Sequence, residues 1–127
     1  MQTEEYKYAK KLNTERNQRI ILRILRGCTD KFITDRQIAV TMGQDPNSFE
    51  RVVRLCIREL RREGYPIVSE SGKGYKWPAN RQEAEKTIAE FRSRARDLNE
   101  TANTMEQSAN ELFAWQNELP MREGEKT

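Results

Sequence analysis

Five arginines fall within twelve residues of this 127-residue chain: Arg51, Arg54, Arg58, Arg61 and Arg62, in RVVRLCIRELRR. A guanidinium is a permanent cation whose fork of donors fits phosphate oxygens, so the chemistry on offer is anion recognition. A second cationic group follows in GKGYKW, residues 72–77, where Lys73 and Lys76 sit among glycines and aromatics. Two glycines around a lysine suit either a phosphate-cradling loop or the tip of a β-hairpin. A phosphate loop leads into a helix whose N-terminus holds the anion, whereas here Tyr75, Lys76, Trp77 and Pro78 follow. The spacing therefore predicts a hairpin, with both lysines presented to an anion outside the fold.

Bond-making chemistry has little to work with. The chain contains no histidine, which removes the commonest general base and metal ligand. Asp30, Asp35 and Asp45 are spread over turns and helix starts, where acids serve as caps and dipole partners. Cys28 and Cys56 lack a CxxC partner and sit among apolar neighbours, so both read as reduced, buried packing residues of a cytoplasmic protein. No catalysis, metal or cofactor is expected. The first residues do not read as a signal peptide and no apolar run approaches a membrane span, so no membrane partner is expected either. No second ligand domain speaks for a small-molecule effector.

The elements that must position the cations follow from apolar spacing. Ile20, Ile21, Ile24 and Leu25 recur at helical intervals and Gly27 closes the run, which predicts a helix over 14–26. Residues 1–13 lack clear periodicity and read as a flexible basic arm or a frayed helix start. Lys31, Phe32 and Ile33 suit a strand of two or three residues. Thr34 then opens a capping box with Gln37, ahead of a helix over 35–42 that buries Ile38, Ala39 and Met42. After a turn at 44–46, Asn47 or Ser48 is expected to cap a third helix that runs to Glu63 and stops at Gly64.

On that third helix, Phe49, Val53, Cys56 and Leu60 cluster on one side at about 100° per residue, with Val52 and Ile57 at the margins. Arg51, Arg54 and Arg58 lie opposite, extended by Arg61 and Arg62, while Glu50, Glu59 and Glu63 fall to the flanks. Such a row of like charges repels itself unless an anion arrives to meet it. Strands over 65–69 and 75–77 enclose the hairpin tip at 71–74. Charge is also unevenly placed along the chain. Residues 1–79 carry 16 Lys and Arg against 10 Asp and Glu, and residues 80–127 carry 7 against 10. A front at +6 and a rear at −3 imply a polyanion partner for the front only.

Helix, short strand, helix, turn, arginine-faced helix and hairpin is the order of a winged helix-turn-helix. Residues 18–78 resemble the N-terminal DNA-binding domain of biotin-ligase repressors and small phage and prophage winged-helix proteins. The resemblance is carried by IILRILRG at 20–27, Ile38-Ala39 with Gly43, VVRLCIRELRREGYPI at 52–67 and GKGYKW at 72–77. It implies binding of double-stranded DNA, with the third helix in the major groove and the hairpin as a wing on the backbone or minor groove. Val53 stands ten residues after Gly43, where the family's first buried residue comes at about six, so its base-reading positions do not transfer directly. Direction on the helix instead selects Asn47, Ser48, Arg51, Arg54, Arg58 and Arg62 as DNA contacts, with Lys73 and Lys76 on the wing. Without a ligase domain, biotin chemistry is not implied.

The rear half has its own pattern. Asn80 is placed to cap a helix that runs without Gly or Pro to Leu119. Ile88, Phe91, Ala95, Leu98, Ala102, Met105, Ala109 and Leu112 alternate spacings of three and four, and Ala84 and Leu119 keep the register. A seam of roughly 60 Å exceeds what so small a domain can cover, which predicts a coiled coil over 80–119 and a homo-oligomer, a dimer, through 84–119. Ala95, Ala102 and Ala109, seven apart on one line, suit a closely spaced antiparallel pair. Residues 120–127 read as a disordered tail.

The expected fold class is thus mostly α with a small β-hairpin, a winged helix-turn-helix followed by a long C-terminal coiled-coil helix. The expected function is sequence-specific transcriptional regulation by a DNA-bound coiled-coil oligomer. A phage or plasmid replication or packaging factor that marks a DNA site and recruits other proteins is the alternative. A winged-helix adaptor without DNA binding is a second alternative, disfavoured by the arginine stripe.

Overall fold

The computed structural model describes residues 3–118, with side chains described through Ala114. The tail expected at 120–127, and Leu119 at the end of the seam, lie outside the described residues. In chain order the elements are α1 (Glu4–Leu12), α2 (Glu15–Arg26), α3 (Asp35–Thr41), α4 (Pro46–Glu63), β1 (Val68–Glu70), β2 (Gly74–Lys76) and α5 (Arg81–Glu118). The protein is mostly helical, with a small antiparallel hairpin and a long C-terminal helix. It divides into two compact units, one through Ile88 and one from Ala89. The boundary expected at 79/80 therefore moves: the first two turns of α5 belong with the hairpin, where Thr87 is buried and its hydroxyl lies 3.4 Å from the Ser69 amide. Among the described residues no helix is long and apolar enough to cross a membrane.

The core of the first unit is built on α4. Phe49, Val52, Val53, Cys56, Ile57 and Leu60 are all buried on it, at the three-and-four spacing of one helical face. That face packs against α1, α2 and α3, meeting Ala9, Ile21, Leu25, Ile38 and Ala39. Each large side chain so covered contributes roughly 1.5–3 kcal/mol. Burial pushes the Cys56 thiol up to about 12, so it stays protonated. Cys28, expected to be buried as well, is only half-buried at the end of α2.

The ends of α4 are set by local chemistry. Pro46 takes the first helical position, where a missing N–H costs nothing and the ring presets φ. Asp45 is therefore the cap, its carboxylate accepting the Asn47 amide at 3.0 Å. The expectation that Asn47 or Ser48 caps the helix is corrected, since both lie inside its first turn. Gly64 ends the helix in the left-handed region at φ 111°.

Two further expectations change. The supposed flexible arm is helix α1: Thr3 caps it, Glu4 and Glu5 sit at its positive end, and Lys10 and Lys11 at its negative end. It docks on α4 through Ala9, which is buried, and Leu12. A two-residue contact leaves almost no periodic signal in the sequence. The short strand at 31–33 shrinks to one bridge, in which Ile33 and Tyr75 exchange both backbone bonds at 2.7 and 2.8 Å. The next residue, Thr34, is already committed to the capping box of α3, whose two bonds with Gln37 both form.

That bridge explains the second glycine of the hairpin. β1 and β2 pair with Ser69 opposite Tyr75 and Glu70 opposite Gly74. Gly72 takes φ 80° in the turn, but nothing stands near where its Cβ would be. Gly74 takes φ 108°, and a Cβ there would lie 2.4 Å from the Ile33 carbonyl oxygen. Only glycine lets the hairpin approach the loop before α3 so closely. Arg61 then ties the hairpin to α4, donating from Nε and Nη2 to the Ile67 carbonyl at 3.0 and 2.8 Å and from Nη2 to the Ser69 hydroxyl at 3.0 Å.

Gly74→Ala is expected to lower stability by roughly 2–4 kcal/mol, from strained φ plus a backbone collision. Gly72→Ala meets only the φ cost of about 1–2 kcal/mol. Urea unfolding of both variants measures the difference, and equal losses would contradict the bridge.

Candidate nucleic-acid interface

The outer face of α4 carries a row of cations on a helix; α2 carries a second one, Arg16, Arg19, Arg23 and Arg26, of which Arg19 and Arg26 are turned to Tyr65 and Trp77. Arg51, Arg58 and Arg62 lie on the α4 face, the first half-buried and the last two exposed. Among the described residues no carboxylate comes within ion-pair distance of these three. Arg54 is on the same face but holds Asp35 at 3.1 Å, a contact that joins α4 to the first turn of α3. Arg61, read as part of the stripe, turns inward to the hairpin as described above.

Two of the three acids at the flanks of the stripe are occupied elsewhere; among the described residues Glu59 has no cation within ion-pair distance. Glu50 pairs with Arg36 of α3 at 3.0 Å, and Arg36 also donates to the Asn47 side-chain oxygen at 3.0 Å. Glu63 lies 3.6 Å from Arg19 of α2. Glu50 and Glu63 thus face other cations, while Glu59 stays beside the row, which keeps a positive excess by the number of its arginines. Arg36 was missed in the sequence, although its place inside the Thr34–Gln37 capping box, ahead of the buried Ile38–Ala39 pair, marks it as outward-facing.

Asn47 and Ser48 sit at the start of the stripe. Ser48 donates from its hydroxyl to the Asp45 carbonyl at 3.3 Å. Both residues, with Arg51 and Arg54, line a cleft of about 480 Å³ whose far wall is Glu4, Glu5 and Tyr8 of α1. An acidic helix end thus borders the arginine row at its N-terminal end, a feature the sequence reading of residues 1–13 did not contain.

The two wing lysines part company. Lys73 is at the exposed turn, with Nζ 3.2 Å from Glu70. Lys76 is a correction: its side chain is only 7% exposed, its ammonium donates to Glu83 in α5, and Phe32 lies 5.6 Å away. Strand alternation sets Tyr75 on one face of β2 and Lys76 on the other, and α5 covers the second face. Asn80 starts that helix by accepting the Glu83 amide at 3.0 Å, and Glu83 accepts the Ala79 amide at 2.7 Å. Glu83 is therefore held below the ordinary carboxylate range, first by the Lys76 hydrogen bond and then by the Ala79 amide. Lys73 lowers Glu70 in the same sense, with Lys86 assisting.

A separate basic and aromatic cluster lies on α2. Arg19 donates to the Tyr65 hydroxyl at 3.1 Å, and Arg26 stacks 5.5 Å from the Tyr65 ring and 5.3 Å from Trp77. These arginines cover the aromatics that close the hairpin base, so they stabilise the fold's edge.

The seam residues of the second unit are exposed where side chains are described, with Leu98 at 70%, Met105 at 67% and Leu112 at 61%. Ala95, Ala102 and Ala109 are exposed as well, and Phe91, like Ile88 at the end of the first unit, is roughly two-fifths exposed. Comparison of the chain with protein-family models, curated proteins and solved structures finds no match. The functional reading therefore rests on the geometry.

Glu83 releases its proton more readily in the folded state than in the unfolded chain. The stability of its contact with Lys76 is therefore complete above the ordinary glutamate value and lost as pH falls through the lowered one. Glu83→Gln is expected to be less stable than the wild type at neutral pH and to lose less on acidification, measured by thermal unfolding between pH 7 and 3. Parallel acid limbs in the two proteins would contradict the pairing.

Proposed function

We propose that residues 14–79 form a winged helix-turn-helix module that binds double-stranded DNA, with α4 as the groove-entering helix and the β1–β2 hairpin as the wing. The observation that carries this reading is the row of Arg51, Arg58 and Arg62 on α4, whose flanking acids Glu50 and Glu63 face Arg36 and Arg19. The order α2, Ile33 bridge, α3, α4, hairpin supports it. So does the 18-residue length of α4, about 27 Å, which suits a helix lying in a major groove.

In this reading Arg51 and Arg54, nearest the start of α4, read base edges. Arg54 is preset by Asp35 and exchanges that partner for the nucleic acid. Arg58, Arg62 and Lys73 meet phosphates, and Asn47 and Ser48 add polar contacts at the helix start. Lys76 is left out, because its ammonium is already spent on Glu83. The second unit links two such modules through the α5 seam, and the whole acts as a cytoplasmic transcriptional regulator.

Duplex affinity is expected to fall with salt, with a log–log slope of magnitude roughly 3 per subunit from Arg58, Arg62 and Lys73. Arg51→Ala is expected to relax sequence preference at a cost of about 1–3 kcal/mol if guanine is its target. Lys76→Met should leave the slope unchanged. Titrating random and selected duplexes at several salt concentrations tests all three, and a flat response would end the DNA reading.

A further inference from the structure

The apolar line of α5 has a large and a small edge, and its charges are segregated along the helix. Leu98, Met105 and Leu112 form the large edge, and Ala95, Ala102 and Ala109 the small one. After Glu90 come Arg92, Arg94 and Arg96; Asp97, Glu100, Glu106, Glu111 and Glu118 follow, and no Lys or Arg occurs from 97 to 118. We infer that α5 pairs with α5 of a second copy in antiparallel direction, in a register centred on residue 100. This rests on the self-association proposed above and gives it a direction and a register.

The direction follows from matching thickness. Centred on residue 100, Leu98 of one copy faces Ala102 of the other and Met105 faces Ala95. Each of these central layers joins one large and one small side chain, so the axes approach closely there, while the outermost layer sets Leu112 on Ile88. A parallel pair stacks Ala on Ala and Leu on Leu, which alternates gaps with bulges.

Charge selects the same direction and fixes the register. Arg92 and Glu106 each stand one residue beyond the large edge, after Phe91 and Met105, on the same flank of the helix. Antiparallel pairing sets Arg92 of one copy beside Glu106 of the other, twice by symmetry. Parallel pairing lays the arginine group on its own copy and the acids on theirs. Asn99 shares that flank at the centre of the register, so its two copies face each other across the two-fold axis.

Single cysteines in the full chain test this directly. Asn99→Cys is expected to cross-link into a covalent dimer under mild oxidation, while Ala109→Cys is not, because its two copies stand about 27 Å apart along the pair. The wild type, with Cys28 and Cys56, is the control. Arg92→Glu is expected to weaken the dimer about tenfold, and Arg92→Glu with Glu106→Arg to restore it. A dimer that cross-links through Ala109→Cys and not Asn99→Cys would overturn the direction alone. A monomeric wild type in sedimentation at tens of micromolar would overturn the self-association beneath it. Neither readout involves DNA.

Discussion

The bridge between Ile33 and Tyr75 is the contact on which the arrangement of the first unit depends. It joins the loop before α3 to the strand after α4, and so closes a ring of structure around α4. Two backbone hydrogen bonds at 2.7 and 2.8 Å form it, and the absence of a side chain at Gly74 makes room for it. From there Arg61 locks the hairpin to the last turns of α4, and Arg54 locks α3 to its middle. The outer face of α4 is rigid because both of its neighbours are tied to it.

The cations of the protein divide by the work their positions allow. Arg61, Arg19, Arg26 and Lys76 fold back on carbonyls, aromatics and Glu83 and hold the edges of the unit. Arg36 draws Glu50 away from the stripe. What remains on the outer face is a positive row on a helix of rigid placement, beside an exposed turn carrying Lys73. The energy of the fold comes from the apolar face of α4, and the net attraction for a polyanion comes from the opposite face. One helix therefore carries both the core and the proposed recognition surface.

Much of this was legible from spacing. The buried face of α4, the Thr34–Gln37 capping box, the stop at Gly64 and the hairpin at 72–74 are written in local patterns with strong physical consequences. What was not legible depended on distant contacts. Helix α1 has only Ala9 and Leu12 to bury, so no period announces it. The fate of Lys76 depends on Glu83 and the first turn of α5, and Arg61 on a carbonyl in the hairpin; neither partner is visible in the stripe or the strand itself. Asp45 became the cap of α4 because Pro46 fits the first helical position, a preference that outranked the side chains of Asn47 and Ser48.

The central claim is that the outer face of α4, with the turn at Lys73, meets double-stranded DNA. Amide chemical shifts recorded by NMR during titration with a duplex, at low salt, address it most directly. The account predicts that shifts concentrate from Asn47 to Arg62 and at 71–73, and that Lys76 and the Arg26–Trp77 edge stay still. Shifts centred on α2 and Trp77, or none at saturating duplex, would contradict it.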